Sequence, residues 1–273
     1  MKKLVFALAV VGMIGGAPLS VMATPENDLK KFRSYFKKKF PSVRFKDYSN
    51  GIYVLPGAED RKAEWQAIME FPPYELELEK GRKFWKKNKL GSCFRNGGKG
   101  VAANYPYWNG KEVRTLVLDI NSCLKKKGKK PIKNLKKGTM AQVVAYMKSL
   151  SRGRTVSVKL KSKGAINAYN EGKKFYWARR GQLNFSCATC HVQNAGKYAA
   201  GNIMSAGLGH GVGFPAYRSK WGGLGTLHRR YGGCNKNIRA KPLKAQSAEY
   251  RALELYETYM NNGLPLVAPS QRF

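Results

Sequence analysis

Residues 187 to 191 read Cys-Ala-Thr-Cys-His. Two cysteines three residues apart, followed at once by a histidine, form the attachment pattern of c-type haem. Thioethers at this spacing meet the two vinyl positions of a porphyrin, and the adjacent imidazole can reach the iron. Cys187 and Cys190 are therefore the expected covalent anchors and His191 the expected axial ligand. A thioredoxin-like redox pair would need a βαβ context, and half of a zinc site would need a second Cys/His pair; the sequence supports neither. One covalently bound c-type haem is the expected cofactor.

The elements that must position this motif occur twice. Residues 79–100, EKGRKFWKKNKLGSCFRNGGKG, are answered by residues 170–197, NEGKKFYWARRGQLNFSCATCHVQNAGK. YPYW at 105–108 is echoed by FPAY at 214–217, and Cys123 and Cys234 are each followed eight residues later by a proline, Pro131 and Pro242. Residues 142–153 and 250–263 both show apolar residues at helical spacing and end in Gly, a usual helix stop. Five correspondences in the same order indicate a duplicated module. Alternating strand patterns are scarce, so the expected class is mainly α: two cytochrome c-like helical modules from an internal duplication, with an N-terminal helical extension over about 24–75. The expected domains are residues 24–160, without haem, and 161–273, with haem, joined through a basic, Gly-dotted stretch near 150–165. The long Gly-rich segment 195–233 reads as loop that wraps something, and GLGHGVGF at 207–214 as backbone passing close to a porphyrin.

In the first half the motif is degenerate. Leu90 stands where the first anchor would be, Cys93 at the second, and Phe94 at the histidine. Phe94 is expected to fill the space with apolar bulk. Cys93 is then expected to pair with Cys123, the remaining cysteine of that half, in an oxidising compartment. Cys234, the fifth cysteine, is the repeat-equivalent of Cys123. If haem once sat in both modules, that position supplied the distal ligand, so Cys234 is the expected sixth ligand opposite His191. Met204, Met260, His210 and His228 are the rivals. His228 otherwise reads as an exposed loop histidine.

Two lysines, an apolar run and Val21-Met22-Ala23 make residues 1–23 read as a signal peptide rather than a membrane anchor, the apolar run being too short to span. The expected location is periplasmic, with no membrane span. The 51 Lys plus Arg against 16 Asp plus Glu, a formal net charge of +35, draw anions. A periplasmic address argues against nucleic acid and for small anions or an acidic protein.

CATCH, the later RRYGGCN at 229–235 and the degenerate first module together resemble the SoxA family, the catalytic cytochromes of bacterial sulfur oxidation. The resemblance implies the one-haem type, a heterodimer with the small cytochrome SoxX, and transfer of thiosulfate to a cysteine of the carrier SoxYZ (L-cysteine S-thiosulfotransferase activity). It places the family's catalytic cysteine, often a persulfide, at Cys234 and its active-site arginine at Arg230, with Arg229 or Lys236 able to assist. The competing expectation is an electron-transfer cytochrome with Met204 on the iron and no transferase activity.

Overall fold

The computed structural model describes residues 24–199 and 201–273, so the signal peptide expected over 1–23 lies outside the described residues. The chain opens with helix α1 (Pro25–Lys39), capped by the Thr24 side chain, with Glu26 and Asp28 in its first turn and three lysines in its last. That distribution matches the helix dipole at both ends. Turns of 3-10 helix over Phe45–Val54 and helix α2 (Glu59–Ile68) follow. Although α1 precedes the first half in sequence, its apolar face (Phe32, Phe36, with Phe40 just beyond) packs into the core of the second. Tyr35 and Lys39 donate to the carbonyls of Val192 and Gln193, immediately after CATCH.

Two crossing helix pairs then organise the molecule. In the first half α3 (Glu75–Lys87) is separated from its partner by β1 (Tyr107–Trp108), β2 (Val113–Arg114) and α4 (Leu116–Lys126), and it crosses α5 (Thr139–Ser149). In the second half α6 (Lys163–Trp177) is followed by the hairpin β3 (Tyr198–Ala199) and β4 (Asn202–Ile203), then by β5 (Ala216–Arg218), β6 (Gly223–Gly225) and α7 (Leu227–Asn237). It crosses α8 (Ala248–Met260), and β7 (Ser270–Arg272) closes the chain, parallel to β5. The two halves agree in detail. A Cβ at Gly81 would lie 2.1 Å from the Gln142 carbonyl oxygen, and one at Gly172 would lie 2.0 Å from that of Ala252. Both glycines of the repeated Gly-basic-Lys-Phe motif are thus fixed by backbone-to-backbone approach. Tyr105–Pro106 and Phe214–Pro215 are both cis. A hairpin follows each, and a threonine, Thr115 or Thr226, precedes α4 or α7.

The first core gathers Trp85, Leu90, Phe94, Ile120 and Met147. Leu90 is fully buried and Phe94 stacks on Trp85 at 5.4 Å between ring centroids, so apolar side chains fill the place of a porphyrin. Cys93 and Cys123 form the expected disulfide. The second core is larger and aromatic, with Phe36, Tyr169, Tyr176, Tyr250 and Tyr256.

The stretch near 150–165 is ordered chain: Val156 and Val158 are buried, and residues 153–156 exchange backbone hydrogen bonds with 263–266. One expectation is corrected. Residues 195–233 hold two hairpins and the start of α7 rather than one long loop. Among the described residues no helix is long and apolar enough to cross a membrane.

Gly172→Ala and Gly81→Ala are each expected to destabilise the chain by about 1–3 kcal/mol in urea unfolding, because a carbonyl must move. Gly223→Ala, which meets nothing within 4 Å, should change it by less than about 0.5 kcal/mol.

Candidate haem and thiol site

The CATCH turn is locked locally before anything binds. The Ser186 amide donates to Thr189 Oγ1 at 3.1 Å, and the Thr189 amide returns a bond to Ser186 Oγ at 3.0 Å. His191 is then held from behind. Its Nδ1 lies 3.0 Å from the Ser205 carbonyl oxygen, an acceptor only, so Nδ1 carries the proton and Nε2 keeps its lone pair. Nε2 makes no hydrogen bond among the described residues. The Gly207 amide also donates to the His191 carbonyl at 2.6 Å. A Cβ at Gly207 would meet Tyr176 Oη at 2.4 Å, so only glycine lets this strap pass. Burial, with His210 and the Arg230 charge nearby, pushes the imidazole down to about 3. It is therefore neutral, the form that binds metal.

Cys187, Cys190 and Cys234 are free thiols, each half-buried. The charge of Cys234 is felt at both of the others. Burial, then the charges of Glu257 and Cys234, push the Cys187 thiol up to about 12. Burial and Cys234 raise that of Cys190, with Arg230 pulling the other way. A thioether has no proton to lose, so an environment hostile to thiolate costs the two anchor positions nothing. Cys234 arrives on α7 behind Gly232 and Gly233. A Cβ at Gly233 would have no neighbour within 4 Å, and one at Gly232 only Pro242 Cβ at 3.9 Å. Two successive glycines inside a helix cost about 1 kcal/mol each against alanine. Here they leave a bare helix surface beside the thiols, suited to a flat ligand. The neutral imidazole with a free Nε2, the converging sulfurs and the bare helix face all fit a haem.

Cations surround the distal sulfur. Arg230 is half-buried on α7, and its charge is felt at Cys190, His191 and His210. Arg218, on β5, was not singled out from the sequence. Burial, then repulsion from Arg230, push it down to about 10, while Cys234 pulls it up. Its Nε donates to the Phe273 main-chain oxygen at 2.8 Å. Trp221 carries the guanidinium of Arg218 at 5.1 Å and of Arg229 at 4.2 Å from its ring centroid. Nothing local in the sequence joins these residues; the β5–β6 hairpin does.

The other candidate ligands have these surroundings. Met260 is buried in α8, its sulfur 3.5 Å from Tyr169 Oη. Met204 belongs to the segment that runs into Ser205, behind the His191 ring. His210 sits edge-on to His191, with ring centroids 4.2 Å apart, and its Nε2 is 2.8 Å from Ser205 Oγ. His228 is a buried helical residue at the seam between the halves, bonded to Gln246 and 2.9 Å from Glu254, instead of an exposed loop histidine.

This arrangement defines a cytochrome c-domain protein with a spare thiol and a guanidinium at its site. Comparison with known proteins gives the particular group. The family model for the SoxA/TsdA cytochrome c domain matches residues 80–156, the half that lacks CATCH. The chain is 47% identical over 276 residues to the L-cysteine S-thiosulfotransferase subunit SoxA of Chlorobaculum thiosulfatiphilum, covering 98% of this chain and 95% of that one. It is 40% identical over 285 residues to the subunit of the same name from Allochromatium vinosum, covering both chains completely. A crystal structure of SoxXA from P. pantotrophus aligns with a TM-score of 0.65 at 28% identity, over 74% of this chain and 79% of that one. The chain belongs to the SoxA family.

One buried acid sets a pH dependence. Glu257 accepts from Tyr231 Oη at 2.5 Å, and burial raises its pKa from 4.5 to about 7. Between those values the unfolded chain releases this proton and the folded chain keeps it, so stability falls as pH rises, by about 3 kcal/mol in all. Glu257→Gln is expected to flatten that part of the stability–pH curve in urea titrations. An unchanged slope would contradict the assignment.

Proposed function

We infer that this chain is the catalytic subunit of an L-cysteine S-thiosulfotransferase, oxidatively joining thiosulfate to a cysteine of a sulfur carrier protein. The observation that carries this reading is the free Cys234 thiol, brought by α7 into the space of Cys187 and Cys190 with Arg230 one helical turn before it. Residues 24–160 form a cytochrome c-like module without haem, and residues 161–273 hold one c-type haem. Cys187 and Cys190 would attach it covalently, and His191 and Cys234 would hold its iron. The leader, the free thiols beside a disulfide and the family together favour the periplasm, and a small SoxX-like cytochrome is the heterodimer partner.

The step is an oxidation, and its two electrons go one at a time to two equivalents of the oxidised partner cytochrome. The Cys234 thiolate takes the sulfane sulfur of thiosulfate, giving Cys234–S–S–SO3⁻ and releasing two electrons. A carrier thiolate then attacks the sulfane sulfur, forming carrier–S–S–SO3⁻ and restoring the Cys234 thiolate. Haem, when bound, supplies a one-electron relay toward the partner cytochrome. Arg230 holds the sulfonate through its planar pair of donors and orients the sulfane end toward Cys234. Burial around the site strengthens this charge-assisted contact.

Cys234→Ala is expected to abolish conjugation of thiosulfate to a thiol acceptor. Arg230→Ala should lower kcat/KM about ten- to a hundredfold, the worth of a charge-assisted hydrogen bond. The intact mass of the unreduced protein should correspond to one haem and one disulfide. Full activity in Cys234→Ala would reduce the chain to an electron carrier.

A further inference from the structure

The densest run of lysine in this chain lies in a stretch without a single acid. Residues 120–170 contain no Asp or Glu, and Lys125, Lys126, Lys127, Lys129, Lys130, Lys133, Lys136 and Lys137 crowd the end of α4 and the loop that follows it. All but Lys127 are exposed, and none of the eight is in an ion pair among the described residues.

Such a run could be a mobile solvated tail, but its backbone is tied down. Lys127 and Lys129 donate to the carbonyls of Cys123 and Leu124. Asn121 makes a two-way bond to Ile132, at 2.8 and 3.0 Å. Asn134 Oδ1 accepts from the amides of Lys136 and Lys137, and Ile132 and Leu135 pack on the first core. Holding eight like charges in one ordered loop without a carboxylate costs repulsion that a loose chain would relax.

The loop also has a fixed relation to the thiol. The Thr226 amide donates to the Lys136 carbonyl at 2.9 Å, and Thr226 Oγ1 donates to that of Leu135 at 3.1 Å. Thr226 begins α7, and Cys234 lies eight residues on, about 12 Å along a helix. An extended arm of about four residues spans that distance.

Resting on the transferase reading above, we propose that the 125–137 loop is the docking surface for an acidic segment of the thiol-bearing carrier, setting its cysteine within reach of Cys234. An acidic partner is favoured because the charges are unpaired on the chain itself. The carrier is favoured over the electron partner because the loop is anchored to the helix whose sulfur the acceptor must reach.

The test uses the haem-loaded protein, thiosulfate, an excess of an oxidised c-type cytochrome as electron acceptor, and two synthetic peptides. Each has one cysteine, a short linker and a tract of glutamates or, in the control, glutamines. The acidic peptide should bind by fluorescence anisotropy and have a KM about tenfold below that of the neutral one at low salt. The difference should vanish at high salt, as screening requires. Replacing Lys125, Lys126, Lys129 and Lys130 by Gln should remove both effects while leaving the neutral peptide's rate unchanged. Replacing Lys30, Lys31, Lys37 and Lys38 on α1 by Gln removes equal charge and should leave both effects. A loop variant that still prefers the acidic peptide, or an α1 variant that loses the preference equally, overturns the proposal. So does a loop variant whose only change is a higher KM for thiosulfate, which would assign the loop to small-anion capture. If the wild-type protein conjugates neither peptide, the transferase reading fails, and the anisotropy still decides the docking.

Discussion

The position of Cys234 depends on how helix α7 begins. Thr226 does not cap its own helix: its hydroxyl and amide both donate outward, to the carbonyls of Leu135 and Lys136 in the other half. The start of the thiol-bearing helix is thereby registered against the half that lacks the CATCH motif. The reciprocal contact runs from Thr115, whose hydroxyl meets Gln246 Oε1 at 2.6 Å, while the Gln246 amide donates to His228 Nδ1 at 2.9 Å. Buried hydrogen bonds of this kind are costly to break and so fix geometry as well as stability. A half stapled by Cys93–Cys123 and filled by Leu90 and Phe94 has become a rigid support for the other.

Electrostatics then divides the site into two faces. On the His191 side burial keeps the imidazole neutral and a carbonyl fixes its tautomer, which suits a permanent ligand. On the Cys234 side Arg230, Arg218 and Arg229, the last two sharing the Trp221 ring, create a local excess of positive charge. A dianion is drawn there by the field of a strongly basic molecule and oriented by the nearest fork of donors. The same imbalance between cations and anions extends over the lysine loop, whose anchoring brings long-range attraction and the reacting sulfur into one frame.

The duplication, the CATCH site, the degenerate motif and the Cys93–Cys123 pair were legible because each rests on residue types at fixed spacing. What escaped was set by tertiary contact. Helix α7 reads as loop because Gly232 and Gly233 depress its local propensity, and neighbours from the other half supply what the sequence lacks. The alternation of Val156, Val158 and Leu160 was a strand-like signal obscured by its lysines. Arg218 and Trp221 carry no motif, since their relation to Arg229 exists only after the β5–β6 hairpin folds. His228 looked like an exposed loop residue because a seam between halves leaves no trace in one chain segment. The fit of Gly81 and Gly172 to opposing carbonyls was invisible for the same reason, although their place in the repeat marked them as equivalent.

The proposed function rests on Cys234 and His191 as the two residues that would hold the haem iron. Iron-edge X-ray absorption of the haem-loaded protein measures this directly. A sulfur neighbour should be present in the wild type, retained in Met204→Leu and lost in Cys234→Ser. Retention in Cys234→Ser together with loss in Met204→Leu would contradict it.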